Sequence, residues 1–516
     1  MTQTSAVAEV VKPEGKAWSG FCSFVADNII ATGLRPRKSL VFFALSWFFF
    51  FTILFVIPTP PGMAPTAKAT LAVVVWACLT WIGEVVPVGI TGLQIPMLLL
   101  LTGAVQGGQG ALGRAASGFT TSAAFICLAA FIMAAIIQVA TLDRRIALGL
   151  LHAAKVKTVN GLIWIMFVVN LVLALIIPGA NPRAALQLPI ISGFHGLLGN
   201  TRRELAARKA IVIQTMVYGS LIAGMCILPA HLPNLIVVGL FESQLKIKVT
   251  YFQWFIMQAP YLGMFVLTQV WVMLHFRTWN IRFAGGPQEI ERQYKALPAM
   301  GRSEWLIVGA FAATALLWMT EDLHKMPSEM AAVIGVTLLY LPGLFGFTWK
   351  AVQDRTIWGT YVMLAGALSL SAAMSSSGLG KFLADQISPI AAGHPWWVIL
   401  LIMMIGTHII RIGMLSGVAA ISLFAPILVA LAPTLGLHPV AFTMLVADTD
   451  TFAYILPTQL TTAVIAYSSG TFSMWDYAKV GVVSTSIAIG YGIVVMAHWY
   501  AYLGVPVWDP GAPWPF

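Results

Sequence analysis

Two aspartates stand inside an apolar segment, where a charged side chain is costly. Residues 439–470 read PVAFTMLVADTDTFAYILPTQLTTAVIAYSSG and contain Asp448 and Asp450. A carboxylate at bilayer depth costs at least about 2.5–3.5 kcal/mol, so both must face protein or water if this segment spans a membrane. Each aspartate then either binds a cation, carries a proton or forms an internal ion pair. The basic residues that would pair with them are Arg183, Arg411 and His408.

The same segment is predicted to be a broken helix. Pro457 removes a backbone donor, and the polar side chains that follow can satisfy freed backbone groups where irregular chain lines a cavity. Asp448 and Asp450 are two residues apart, so on a regular helix they point roughly 200° apart. They would face one site only if the backbone is unwound. Asp450, nearer the break, is the preferred coupling residue.

The composition is that of a polytopic membrane protein. Of 516 residues, 59% are hydrophobic and 9% are charged, whereas about 25% of residues are charged in soluble domains. The net charge of +10 comes mainly from short basic clusters between apolar runs, the pattern of cytoplasmic loops, and predicts no nucleic-acid partner. The cysteines are scattered and predict neither a disulfide framework nor a zinc site. They are Cys22, Cys78, Cys127 and Cys226.

The apolar runs predict an all-α fold with about eleven spans and four interruptions. Two re-entrant hairpins are expected at 160–191 and 396–435, and two broken spans at 210–241 and 440–467. The basic clusters place the N-terminus in the cytoplasm and the C-terminus in the periplasm of a bacterial inner membrane.

An internal repeat is predicted from matched motifs in the two halves. Pro189-Ile190 at the end of the first hairpin corresponds to Pro426-Ile427, and Leu228-Pro229 corresponds to Leu456-Pro457. Five spans separate matched positions, so the copies would have inverted topology, with a binding site between the breaks.

The chain is divided accordingly into six segments. They are an interfacial segment 1–38, scaffold helices 39–116, a first transport half 117–251, scaffold helices 252–347 with a cytoplasmic loop 277–305, a second transport half 348–505, and a tail 506–516.

Several stretches together resemble the divalent-anion/sodium symporters, which carry di- and tricarboxylates or sulfate. The resemblance is carried by WIGEVVPVGITGLQIPMLLLLTGAV (81–105), LAAFIMAAIIQVATLDRRIAL (128–148), LAGALSLSAAMSSSGLGKFLA (364–384), LPNLIVVG (232–239) and TTAVIAYSSG (461–470). The resemblance implies an inverted-repeat dimer in which a transport domain moves against a scaffold as an elevator.

The hairpin tips depart from that family's pattern. Family tips usually read Ser-Asn-Thr and contact substrate carboxylates and sodium, whereas here they read Gly179-Ala180-Asn181 and Ser416-Gly417-Val418. Most side-chain oxygens are missing, so two-site sodium coupling is in doubt. Arg183 is similar to an arginine of the citrate/succinate and tartrate/succinate exchangers, and a guanidinium there would hold a carboxylate without sodium.

These observations predict a secondary transporter of small organic dianions, acting by exchange or proton coupling. The alternatives are sodium-coupled dicarboxylate, sulfate or sulfonate symport, and a receptor that binds without flux. An enzyme is not expected because no catalytic cluster is visible. The expected partners are the anion, the lipid bilayer and a second copy of the chain. No cofactor is expected beyond H+ or Na+ as coupling ion, with Na+ placed near Asn181 and Ser416.

The predicted site residues fall into three groups. The substrate-binding set is Gly179, Ala180, Asn181, Arg183, Pro233, Asn234, Ser416, Gly417, Val418, Thr458, Gln459, Thr461 and Thr462. Asp448 and Asp450 are the coupling residues, and His231 and Arg411 are secondary candidates. Glu84, which follows a span, is expected to cap a helix or pair at the membrane interface.

Overall fold

The computed structural model describes residues 36–341, 345–391, 393–414 and 416–516, and the regular structure in them is helical. An isolated bridge pairs Thr158 with Arg282. The predicted interfacial segment 1–38 lies outside the described residues except for its last three positions. The all-helical prediction is therefore confirmed.

The helices follow the apolar runs of the sequence. Those of the first half are α1 (Pro36–Phe51), α2 (Pro65–Gly83), α3 (Val88–Leu101), α4 (Ser122–Val139), α5 (Leu142–Ala154), α6 (Val159–Ala174), α7 (Ala180–His195), α8 (Arg202–Cys226), α9 (Leu232–Leu240) and α10 (Tyr251–Phe276). Those of the second half are α11 (Gly286–Lys295), α12 (Arg302–Met319), α13 (Ser328–Leu339), α14 (Trp358–Ser376), α15 (Leu379–Ala391), α16 (Trp396–Arg411), α17 (Gly417–Thr434), α18 (Pro439–Asp450), α19 (Thr461–Tyr467) and α20 (Met474–Tyr502).

Among the described residues, seven helices are long and apolar enough to cross a membrane, or eight if the bent α14–α15 pair forms one span. The chain is thus a multi-pass membrane protein. The predicted total of about eleven also counted α3, α12, α13 and the broken α18–α19 segment, and it treated α17 as an arm of a hairpin. Burial identifies the centre of the molecule, because 94% of an 18-residue apolar stretch of α8 is buried, against 22% of residues 39–56.

The chain breaks close to the four predicted interruptions. Residues 175–179 join α6 to α7, residues 227–231 join α8 to α9, and residues 451–460 join α18 to α19. The fourth break separates α16, which ends at Arg411, from α17, which begins at Gly417. The first break ends earlier than the sequence suggested, because Pro182 and Arg183 already belong to α7. A proline is tolerated in the first turn of a helix, where its missing N–H has no intrahelical partner to lose. The repeat and the division into scaffold and transport halves stay predictions.

Helices α3 and α14 approach each other backbone to backbone through glycines. A Cβ at Gly366 would lie 2.5 Å from the Cα of Gly92 and closer still to its carbonyl oxygen. A Cβ at Gly92 would lie 2.8 Å from the Cα of Met363. Small residues permit such close packing between helices in a membrane. This contact fixes the positions of residues at the N-terminal ends of both helices.

We expect Gly366→Ala to lower stability by at least about 1–3 kcal/mol, because the added methyl group meets backbone that cannot rotate away. The measurement is the thermal unfolding midpoint of the purified protein in detergent. Gly359→Ala is the matched control on the same helix, since a Cβ there meets nothing within 4 Å. An unchanged midpoint for Gly366→Ala would contradict the close contact.

Candidate functional site

A cavity of about 350 Å³ lies where four helices begin. Helices α7, α9, α17 and α19 each contribute residues from their N-terminal end to its wall. Helix α7 packs against α19, and α9 packs against α17. Each hairpin arm is therefore paired with the second part of a broken helix. The cavity lies between these pairs.

Local sequence explains why the helices begin there. Gly179 has a φ of +83°, a conformation that favours glycine, and directly precedes α7. Pro233 occupies the first turn of α9. The Ser416 side chain accepts a hydrogen bond from the Ala419 amide and so caps α17. Glycine, proline and serine thus place three helix N-termini at one cavity.

Most predicted tip residues line this cavity. The predicted residues on its wall are Gly179, Ala180, Asn181, His231, Pro233, Arg411, Ser416, Gly417, Val418, Thr461 and Thr462. The predicted residues that do not line it are Arg183, Asn234, Asp448, Asp450, Thr458 and Gln459. The two hairpin tips and the start of α19 are therefore brought together, while the two aspartates lie behind the wall.

Arg411 brings a guanidinium to the cavity wall from the end of α16. Its Nη1 donates to the carbonyl oxygen of Met414 at 2.7 Å, and its Nε lies 3.3 Å from Oδ2 of Asp450. Both side chains are about 1% exposed. Within the described part of the chain, the Asp450 carboxylate accepts no hydrogen bond. The two residues form a buried ion pair in which only Arg411 reaches the cavity.

Arg183 has a different position from the one its sequence context suggested. It is completely buried, and it donates to the carbonyl oxygens of Ile177 at 2.7 Å, Ala230 at 3.0 Å and Ser220 at 2.9 Å. These carbonyls belong to the first hairpin, the α8–α9 break and α8. Arg183 therefore joins three backbone segments behind the wall and does not face the cavity.

Asn234 and His231 stabilise the same break. The Asn234 side-chain amide donates to carbonyl oxygens freed by the break, including those of Gly224 at 3.2 Å and Ile227 at 3.3 Å. Its Oδ1 lies 3.4 Å from Nδ1 of His231. Asn234 satisfies backbone groups, whereas His231 also lines the cavity.

The second break is stabilised in a similar way. Gln459 accepts a hydrogen bond from the Leu456 amide at 2.7 Å and is buried. Thr458 is exposed but lies away from the cavity. Thr462 lines the cavity with a buried Oγ1 that has no hydrogen-bond partner in the described ranges. Of these polar residues, Thr462 is the one available to a ligand.

Asp448 lies in a separate cluster of uncharged polar groups. The Gln258 amide lies 2.9–3.0 Å from both carboxylate oxygens, and the Tyr500 hydroxyl donates at 3.1 Å. No Lys, Arg or His of the described chain lies within 4.0 Å of it. As predicted from their spacing, Asp448 and Asp450 face different partners.

The sequence did not predict the part of the cavity wall that residues 81–88 form. Glu84 follows the last residue of α2 with a φ of +50° and caps that helix, as expected, but it also lines the cavity. An acidic residue between two apolar runs was the available signal. The other unpredicted lining residues are Trp81, Val86, Pro87, Val88, Leu221, Leu232, Thr360, Met363, Thr451 and Leu460.

Known proteins that match most of this chain are membrane proteins or transporters by name. The chain is 29% identical over 469 residues to a membrane protein of Cupriavidus necator, covering 88% of this chain and 91% of that protein. It is 23% identical over 446 residues to the sodium-dependent dicarboxylate transporter SdcS of Staphylococcus saprophyticus, covering 82% and 84%. An uncharacterized transporter of Haemophilus influenzae is 24% identical over 458 residues, with 87% and 94% covered.

The fold has a counterpart among solved structures. The YdaH transporter of Alcanivorax borkumensis superposes with a TM-score of 0.51 at 15% identity, covering 86% of this chain and all of that one. Residues 38–506 match the family model described as the sodium:sulfate symporter transmembrane region. The chain therefore belongs to the sodium:sulfate symporter family, a family of membrane transporters that includes the divalent-anion/sodium symporters its motifs resemble.

Proposed function

We propose that this chain is a secondary active transporter of small organic anions. The single observation that carries the proposal is the cavity at which Arg411 and the N-termini of α7, α9 and α17 meet. Helix N-termini carry partial positive charge and exposed N–H groups, and broken transporter helices direct them at anionic substrates. The Thr462 hydroxyl, which is buried and has no hydrogen-bond partner among the described residues, supplies a further polar contact.

The test is flux into proteoliposomes that contain the purified protein. Labelled succinate, citrate and sulfate are offered under a sodium gradient, under a proton gradient, and against internal substrate with no gradient. Protein-free liposomes are the control. Uptake of at least one anion above the control is expected. Saturable binding without flux would instead favour a receptor.

The proposed coupling is exchange or proton coupling, not two-site sodium symport. Arg183 already supplies a cation to backbone carbonyls of the first hairpin and the first break. Near the second hairpin, Arg411 donates to the Met414 carbonyl. Ser416 uses its hydroxyl to cap α17. Fixed guanidinium groups beside both tips disfavour a sodium ion at Asn181 or Ser416.

Sodium coupling is the second candidate, because the Staphylococcus relatives are named sodium-dependent dicarboxylate transporters. Uptake driven by a sodium gradient would establish it and overturn the exchange proposal. The elevator motion, the homodimer and the inner-membrane orientation with a cytoplasmic N-terminus are proposed from the resemblance and the charge pattern.

Arg411→Gln is expected to abolish anion binding and to destabilise the protein. Removing one partner of a buried ion pair costs about 3–5 kcal/mol, since Asp450 is left unpaired. The double variant Arg411→Gln/Asp450→Asn should recover most of the stability but not the binding. Thermal unfolding and equilibrium binding, measured on the same samples, separate the two effects. Wild-type affinity in the double variant would contradict a substrate role for Arg411.

Asp448 is the better candidate for a proton-carrying residue, although Asp450 is nearer the break. Its hydrogen-bond partners are uncharged, and the other titratable groups near it are Cys226, Tyr261 and Tyr500. A buried carboxyl group without a charged partner is stable when protonated, and proton-relay carboxylates in membranes occur in such surroundings. Asp450 is instead held as the counter-ion of Arg411.

Asp448→Asn is expected to fold normally, because an amide reproduces the donor and acceptor of a protonated carboxyl. The pH dependence of transport should flatten, whereas exchange at the optimal pH should persist. The measurement is initial flux between pH 5 and pH 9. The control is Asp450→Asn, in which Asp448 is intact and any remaining flux should keep its pH dependence. An unaltered profile in Asp448→Asn would rule out the proton-carrying role.

Arg183→Gln is expected to lower the thermal unfolding midpoint, because buried carbonyl oxygens lose their charged donor. Arg183→Lys should lower it too, since one ammonium cannot reproduce the geometry of the guanidinium. The affinity of the folded protein for anions should fall less than in Arg411→Gln. Normal stability with lost binding would restore Arg183 as a substrate ligand.

A further inference from the structure

The wall of the cavity is apolar over much of its area. The residue types on the wall suit a ligand with one charged group and an apolar body. The apolar lining side chains come from α2, α3, α8, α9, α14, α17 and the residues that precede α3 and α19. They are Trp81, Val86, Pro87, Val88, Leu221, Leu232, Pro233, Met363, Val418 and Leu460.

The positive charge on the wall is limited. Among the lining residues that the structure describes, Arg411 is the single Arg or Lys, and Asp450 pairs with it from behind. The other arginine expected there, Arg183, is directed at backbone carbonyls.

The hairpin tips offer few side-chain donors for a second carboxylate. Gly179 and Ala180 form the first tip with Asn181, and Gly417 and Val418 follow Ser416 in the second. The Ser416 hydroxyl is engaged in capping. A second carboxylate would have backbone amides of the helix N-termini as donors but no second cationic side chain, so less of the cost of removing it from water is recovered than for the first carboxylate. An apolar group at Val418 gains from contact instead.

We propose that the substrate is an amphipathic organic anion with one carboxylate or sulfonate and an apolar body of aromatic size. The anionic group binds Arg411 and Thr462, and the body packs against Trp81, Met363 and Val418. A volume of about 350 Å³ is within the range of sites for ligands with such a body. This inference rests on the proposed anion transport and narrows its substrate class.

The test measures equilibrium binding of four probes to the purified protein: benzoate, benzenesulfonate, succinate and acetate. We expect benzoate or benzenesulfonate to bind at least tenfold more tightly than succinate. Acetate should bind at least tenfold more weakly than benzoate, because it lacks the apolar body. The two aromatic probes distinguish carboxylate from sulfonate. Succinate binding as tightly as both aromatic probes would overturn the inference.

Flux of the same probes separates this inference from the proposed function. Transport of succinate with weak binding of both aromatic probes would leave anion transport standing and refute the substrate class. Tight benzoate binding without flux of any probe would support the class and refute transport.

Two variants of Val418 test the apolar contact. Val418→Thr keeps the shape of the side chain and adds a hydroxyl, so the affinity ratio of succinate to benzoate should rise about tenfold, in line with one hydrogen bond to a charged group. Val418→Ala, the matched control, should weaken benzoate without improving succinate. If neither variant changes the affinity for either aromatic probe, the proposed position of the apolar body is wrong.

Discussion

The structure depends on satisfying backbone polar groups where helices break inside the membrane. Lipid offers no hydrogen-bond partner at that depth, so each freed carbonyl or amide needs a partner from the protein or must line a cavity that water can enter. At the first break the partners are Arg183 and Asn234. At the second, Gln459 accepts from the Leu456 amide, and Thr485 binds Phe452 and Tyr454. With these groups satisfied, the breaks can hold a cavity open at the centre of the fold.

The two buried acids illustrate how surroundings decide the role of a residue type. Asp450 is matched by a guanidinium, and the pair can stay charged in a low dielectric. Asp448 has amide and hydroxyl partners only among the described groups within hydrogen-bond distance, which suits a neutral carboxyl. In the proposed function, Asp450 is then a fixed charge and Asp448 carries the exchangeable proton. The separation follows from helical geometry, since the side chains point to opposite sides.

Sequence patterns predicted the breaks well because proline, glycine and serine act locally. Pro233, Gly179 and Ser416 lie at helix starts for reasons that neighbouring residues determine. The direction of the Arg183 side chain could not be predicted, because its carbonyl partners are up to 47 residues away in the chain. The wall formed by residues 81–88 was missed for the same reason. It meets the hairpin tips only through tertiary packing.

The glycine contact between α3 and α14 has a mechanical consequence. At Gly92 and Gly366 the backbones of α3 and α14 lie directly against each other, because neither residue has a side chain. Such a contact fixes the spacing between the two helices, and a shift of either helix along its axis would bring the Cβ of a neighbouring residue against the facing backbone. Val88 on α3 and Met363 on α14 both border the cavity. The width of the cavity along this border is therefore set by backbone, which cannot adjust to a ligand as a side chain does by changing its rotamer.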